Sequence, residues 1–262
     1  MLSVQGSRTE KNRQMNILIT NDDGIGSEGI LALEKVLRKK HHVYLIAPLK
    51  EKSATSQALS IFDRIRVEKH SENRVIVDGY PCDCVNIGLH GNVFPKIDAV
   101  VSGINRGVNM GHDVHYSGTV GAARHASIHG ILSFSVSSGR FGKDVSYQRE
   151  AEAFFEIFEN LHSVFQPGCV YNINFPPNFD SVEKSLRAVS LGKRIYHDTY
   201  EVTEFVDGIY EFYLGGSELG NDLTPETDFE AYSKGCVTLT PIELNTTDFD
   251  RLEKLKESLN NH

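Results

Sequence analysis

The chain has 262 residues and carries 27 Lys and Arg against 35 Asp and Glu, a formal net charge of −8 with His neutral. That acidity disfavours a nucleic-acid polymer as partner, because a phosphate backbone is bound by a cationic field. With 40% hydrophobic and 24% charged residues the composition excludes a disordered or fibrous chain, and no apolar run nears the roughly 20 residues that span a bilayer.

Residues 1–14 are polar and aperiodic and read as a disordered extension ahead of a second Met at 15. NILIT is then a short apolar strand, NDDGIG a turn, and EGILALEKVLRKK a helix with Ile30, Leu33, Val36 and Leu37 on one face. A second buried strand, HVYLIAP, closes a βαβ unit, and the polar loop LKEKSATSQ follows it. ALSIF, RIRVEK and RVIVDG read as short strands forming an antiparallel extension of the main sheet. A helix over 81–90 leads into the strand DAVVSG and the loop GINRGVNMGHDVHY. SGTVGAARHASIHG is a helix with Ser117 as N-cap and Gly130 at its C-terminal end, followed by the strand ILSFSVS and the amphipathic helix QREAEAFFEIFENLHSVF.

The expected fold is thus α/β, a three-layer, doubly wound, Rossmann-like and mostly parallel sheet, with a catalytic core over 15–167. Residues 168–262 complete the domain with the strands CVYNINF, LRAVSL, IYEFYL and GCVTLTPI, loosely packed hairpins, and a terminal helix from 247. Aromatic strand edges there suit contact with another subunit. The four Cys show no CxxC spacing and the N-terminus has no signal-peptide apolar core, so reduced thiols and a cytoplasmic location are expected.

In open α/β sheets ligands sit beyond the carboxyl ends of the strands. Three such loops carry Asn21, Asp22, Asp23 and Gly24; Ser53; and Ser102, Gly103, Ile104 and Asn105. Asp22, Asp23, Ser53 and Asn105 form an all-oxygen set suited to a hard divalent cation such as Mg²⁺ or Mn²⁺. Alone, DDG also reads as a tight turn, but adjacent carboxylates repel unless a cation lies between them. The N–H groups of Ser117, Gly118 and Thr119 open a helix and suit a phosphate. The segment is neither a Walker A nor a GxGxxG motif. His125 and His129 have the spacing of a zinc helix without its Glu and read as structural or surface residues, while His112 and His115, in the glycine loop, are weaker candidates for substrate contact.

ILITNDDGIGSEGI, KSATS, YPCDCV, VVSGINRGVNMGHDVHYSGTVGAA, NINFP and TDFEAYSKGCVTLTPI resemble, in order and spacing, the SurE family of metal-dependent 5'-nucleotidases. The resemblance implies hydrolysis of nucleoside 5'-monophosphates, with 3'-monophosphates and short polyphosphate as further substrates, at one divalent metal ion per subunit. It implies Asp22, Asp23, Ser53 and Asn105 as ligands and Asn109, Ser117, Gly118 and Thr119 at the phosphate, these four and the two aspartates forming the catalytic set. It further implies a homodimer or homotetramer that exchanges a C-terminal hairpin or tail. The chain departs from the family at PLKEKSA, where Leu49, Glu51 and Ala54 replace Asp, Asn and Gly, at Glu28 in place of Pro, and at His125 in place of Glu. A non-catalytic nucleotide sensor on the same scaffold is the alternative; a receiver-like phosphoacceptor is disfavoured because the comparable strand ends in Ser102 rather than Asp.

Overall fold

The structure, a computed structural model, describes residues 14–142, 145–206, 208–216 and 220–260. The extension expected over 1–14 lies outside them up to residue 13. The elements run β1 (Asn16–Thr20), α1 (Glu28–Leu37), β2 (His42–Pro48), β3 (Val67–Ser71), β4 (Arg74–Val77), α2 (Pro81–His90), β5 (Ala99–Arg106), α3 (Gly118–Ile128), β6 (Leu132–Ser138) and α4 (Gln148–Asn160). Then come β7 (Cys169–Phe175), α5 (Val182–Ser185), β8 (Leu186–Ala188), β9 (Arg194–Ile195), β10 (Asp198–Val206), β11 (Ile209–Gly216), β12 (Gly220–Asn221), α6 (Asp228–Ser233), β13 (Val237–Glu243) and α7 (Phe249–Asn260).

Nine strands form one sheet in the order β3-β4-β2-β1-β5-β6-β7-β13-β8. β1 pairs in parallel with both β2 and β5, so the strand order reverses beside it and a crevice opens at the carboxyl ends of β1 and β5. The apolar run of β1 serves two cores, since alternate residues face opposite sides of a strand. Ile17 and Ile19 join Leu33, Leu37, Phe154 and Ile157 from α1 and α4 on one face. Leu18 joins Ile46, Val85, Val100 and Ala122 on the other, under α2 and α3. This is the three-layer α/β architecture expected from the alternation of apolar runs and amphipathic helices. Among the described residues no helix is long and apolar enough to cross a membrane.

Three expectations change. ALSIF is no strand: Asp83 near the start of α2 accepts from the Ser60 N–H at 2.9 Å and the Ser60 hydroxyl at 2.8 Å, which takes this backbone out of ladder geometry and leaves Ile61 and Phe62 exposed. The extension is not wholly antiparallel, because β4 pairs in parallel with β2 and only β3 reverses direction. CVYNINF and GCVTLTPI are not loose hairpins. They are β7 and β13, paired antiparallel inside the main sheet, with Val170, Ile173, Phe175 and Val237 buried. IYEFYL does lie in a hairpin: β10 and β11 form a separate two-stranded sheet carrying exposed Tyr200, Val202, Tyr210, Phe212, Tyr213 and Leu214.

Candidate active site

A cleft of about 320 Å³ opens at the switch point and brings together Asp22, Asp23, Ser53, Asn105, Asn109 and Ser117. Each strand-end loop is held to the next by main-chain bonds. Asn21 closes the first turn, its amide donating to the Gly24 carbonyl at 2.9 Å while its oxygen accepts from the Gly24 N–H at 3.1 Å. The Lys52 N–H donates to the Asp22 carbonyl at 2.8 Å, and the Ser56 N–H to the Tyr116 carbonyl at 2.9 Å, which ties the second loop to the first and to the glycine loop. Asp228 anchors the glycine loop from below, accepting from the N–H groups of Gly111 and Gly192.

Asp22 is buried beside Asp23, and burial pushes its carboxyl up to about 6. The Thr119 hydroxyl, donating to Asp22 Oδ1 at 2.7 Å, opposes that rise, and the Asp23 charge adds to it. Asp23 is also raised by burial, against the pull of Arg106, whose guanidinium stands 4.0 Å away. Two adjacent carboxylates withdrawn from water are destabilised as anions and favoured by a bound cation. Asn105 donates its amide N–H to the Gly107 carbonyl at 2.8 Å, which leaves its oxygen as the atom to offer a ligand. Ser53 is exposed and donates to Glu51 at 2.7 Å, so it completes the donor set only by rotating away from Glu51. The four residues are all-oxygen and fit a hard divalent ion; among the described residues no group of three or more His, Cys, Asp or Glu is placed to hold a metal.

Ser117 caps α3, its oxygen accepting from the Val120 N–H at 3.1 Å. Helix α3 therefore presents its N-terminal end to the cleft, with the partial positive charge that suits a phosphate. A Cβ at Gly118 would lie 3.0 Å from Asp22 Oδ2 and 3.2 Å from the Lys52 carbonyl oxygen, tighter than most Cβ contacts, so the absence of a side chain eases the approach of the helix start to the acid. Asn109 is buried with its amide on Ser137 at 2.8 Å and its N–H and carbonyl on Asn174. The Thr119 side chain is fully buried behind Asp22 and donates its hydroxyl to that carboxylate, so the main-chain N–H, not the hydroxyl, is its donor for a phosphate.

His112 and His115 are exposed and do not line the cleft. His125 and His129 stand at the far end of α3, where His129 meets His90 at 3.2 Å. Ser102 is fully buried, away from the cleft. Sequence reasoning missed three residues of the rim: Arg106, Asp113 and Tyr116. Arg106 alone left a signal, as the one cation in the glycine loop between Asn105 and His112. A second cleft of about 480 Å³, at the amino ends of β1, β5 and β6, is lined in part by Lys40, His41 and Glu159, with Glu159 pairing to both Lys40 and His41.

Residues 17–198 match the family model described as Survival protein SurE. The chain is 60% identical over 245 residues to "5'-nucleotidase SurE" of Leptospira interrogans, covering 94% of this chain and 98% of that protein. A protein of the same name from Leptospira biflexa is 54% identical over 92% of this chain and 98% of its own length. "5'/3'-nucleotidase SurE" of Proteus mirabilis is 36% identical over 94% and 96%. The crystal structure of SurE protein from Aquifex aeolicus superposes with a TM-score of 0.79 at 30% identity, covering 92% of this chain and 98% of that one.

Proposed function

The chain belongs to the SurE family, and from that premise we propose that it is a 5'-nucleotidase, a phosphomonoesterase cleaving nucleoside 5'-monophosphates to nucleoside and phosphate with the help of a divalent metal ion. The observation that carries this reading is the meeting, in one cleft, of the Asp22–Asp23 pair with the N-terminal end of α3. An acidic pair that favours a cation, facing a helix start that favours an anion, is a pairing suited to a phosphoryl group.

Asp22, Asp23, Ser53 and Asn105 would hold one Mg²⁺ or Mn²⁺ ion per subunit. When bound, such an ion lowers the pKa of a water and draws charge from a phosphoryl oxygen. The chain's own part is to bind and orient the ester. The main-chain N–H groups of Gly118 and Thr119 and the hydroxyl of Ser117 take the phosphoryl oxygens, and the Asn109 amide holds a further one. The Thr119 hydroxyl fixes the rotamer of Asp22 and favours its anion. Arg106, half-exposed on the rim, supplies positive charge beside Asp23 and Glu51. Nucleoside 3'-monophosphates and short polyphosphate are further substrates of the same phosphoryl site, the former in keeping with the name of the Proteus mirabilis relative.

The protein is proposed to act in the cytoplasm as a homodimer or homotetramer, and the exposed aromatic face of the β10–β11 hairpin supports self-association. The test of the catalytic reading is phosphate release from AMP with Mg²⁺ or Mn²⁺, with and without EDTA. Release that EDTA abolishes and added metal restores is expected. AMP binding without release would make the protein a nucleotide sensor instead.

A further inference from the structure

Tyr116 directly precedes the cap residue Ser117, lines the cleft, and yet leaves 59% of its surface exposed. Its main chain is fixed at both ends, the N–H donating to the Asp113 carbonyl at 3.0 Å and the carbonyl accepting from Ser56. Its ring is braced from behind. The Tyr196 ring meets it edge-on, with centroids 6.2 Å apart and planes at 87°. Tyr196 in turn donates its hydroxyl to Asp113 Oδ1 at 2.8 Å, and Asp113 Oδ2 accepts from Arg194 Nε at 2.9 Å. The Arg194 guanidinium is itself stacked 4.5 Å over the ring of Phe229. A chain of four residues thus supports one ring that buries little of its own surface, an arrangement that core packing does not require.

An exposed, braced aromatic face beside a phosphate cradle is a stacking surface for a planar ring. Resting on the nucleotidase reading, we infer that Tyr116 is the platform on which the nucleobase of the substrate stacks, with Tyr196 as the positioning residue that orients it. The residue next to the cradle is within a nucleoside's length of the bound phosphate. Stacking uses the π-face common to all bases, so purine and pyrimidine monophosphates are both accepted, and the base adds affinity that a sugar phosphate lacks. Phe141, on the opposite side over Gly107, is also exposed, but it does not line the cleft.

The experiment compares AMP with ribose 5-phosphate, which keeps the ester and lacks the base, in the metal-loaded full chain. Wild type is expected to show a lower KM for AMP than for ribose 5-phosphate. Tyr116→Ala should raise KM for AMP on the order of 10-fold, the scale of losing one base–aromatic stack, while kcat and the KM for ribose 5-phosphate stay put. Tyr116→Phe should restore the wild-type values, and Tyr196→Ala should give a smaller rise confined to AMP. Equal KM values for both esters in wild type, or a loss in Tyr116→Ala shared by both, overturns the platform and leaves the nucleotidase reading intact. So does a loss of AMP preference in Phe141→Ala but not in Tyr116→Ala. Wild type that cleaves neither ester overturns the nucleotidase reading, and the platform with it.

Discussion

Thr119 donates its hydroxyl to Asp22 Oδ1 across 2.7 Å, and both side chains are buried at the junction of β1 and α3. The bond ties the acidic loop to the start of α3, so a change at Thr119 reaches the proposed metal ligands. Thr119→Ala removes a hydrogen bond to a charged group, worth about 1.5–3 kcal/mol, and is expected to weaken metal binding and lower turnover by on the order of 10-fold or more. Thr119→Ser keeps the donor and should retain most of both. Calorimetric titration with Mn²⁺ checks this: unchanged metal affinity in Thr119→Ala would show that the hydroxyl does not govern Asp22.

The aspartate pair separates catalysis from stability. Asp22→Asn or Asp23→Asn keeps the shape and removes a charge, and turnover should fall on the order of 10²-fold or more. Burial raises the Asp22 carboxyl from 3.8 to about 6, so its ionised form costs the metal-free fold roughly 3 kcal/mol at neutral pH. Metal-free Asp22→Asn should therefore melt higher than the metal-free wild type. Added Mn²⁺ should raise the wild-type Tm and leave the variant's alone. Equal shifts in both proteins would move the cation elsewhere.

At the amino ends of the parallel strands, opposite the candidate site, lies a group that makes stability depend on pH. His41 is buried, accepts the Met15 N–H on Nδ1 at 3.3 Å, and has Nε2 3.0 Å from Glu159. Its Nδ1 lone pair is used, so the neutral ring donates from Nε2, and protonation would set two N–H groups against each other. Burial lowers its pKa most; the Glu159 carboxylate opposes this, and Lys40 and His42 add to it. A histidine lowered in the fold stabilises above its unfolded value of 6.5, and that stability is lost as pH falls below it, by up to about 1.4 kcal/mol per pH unit. His41→Gln keeps one donor and one acceptor without titrating, and denaturant melts from neutral to acid pH should flatten. Parallel curves for wild type and His41→Gln would rule the histidine out as the source.

Much of this was legible in the sequence because burial on both faces writes uninterrupted apolar runs. NILIT and HVYLIAP are β1 and β2 to the residue, and the proline at the start of α2 fixes that helix. The cleft was legible in part: strand-end position pointed to Asp22, Asp23, Ser53 and Asn105, which line it, but also to Ser102, which does not. What stayed hidden depends on side-chain partners far apart in the chain. Ser60 is captured by Asp83, which no local pattern announces, and the ALSIF alternation therefore misled. Thr119 was placed by its position at the helix start, while its bond to Asp22, 97 residues away, decides what its hydroxyl does. Tyr116 and Arg106 sit on the rim, half out in water, where no periodicity marks them.

The C-terminal segments yield the last prediction. The β10–β11 hairpin pairs only with itself in the described structure, and a lone two-stranded hairpin is marginal in water. One face shows Tyr200 and Phe212 at 65% and 61% exposure and the other Tyr213 at 66%, and α7 buries none of its residues. Apolar surface left open on that scale favours a partner, and in the proposed homo-oligomer the same segment of a twofold-related copy is available. The root of this arm reaches the active site, because Arg194 in β9 holds Asp113 on the cleft rim. Phe212→Ser with Tyr213→Ser, or removal of the chain from residue 247 onward, should lower the mass seen by light scattering while Mn²⁺ affinity stays near wild type, since every ligand lies before α3. Assembly lost together with metal affinity would mean that the arm holds the cleft open from a distance. An intact protein that is monomeric at micromolar concentration would end the self-association reading and leave the phosphomonoesterase reading standing.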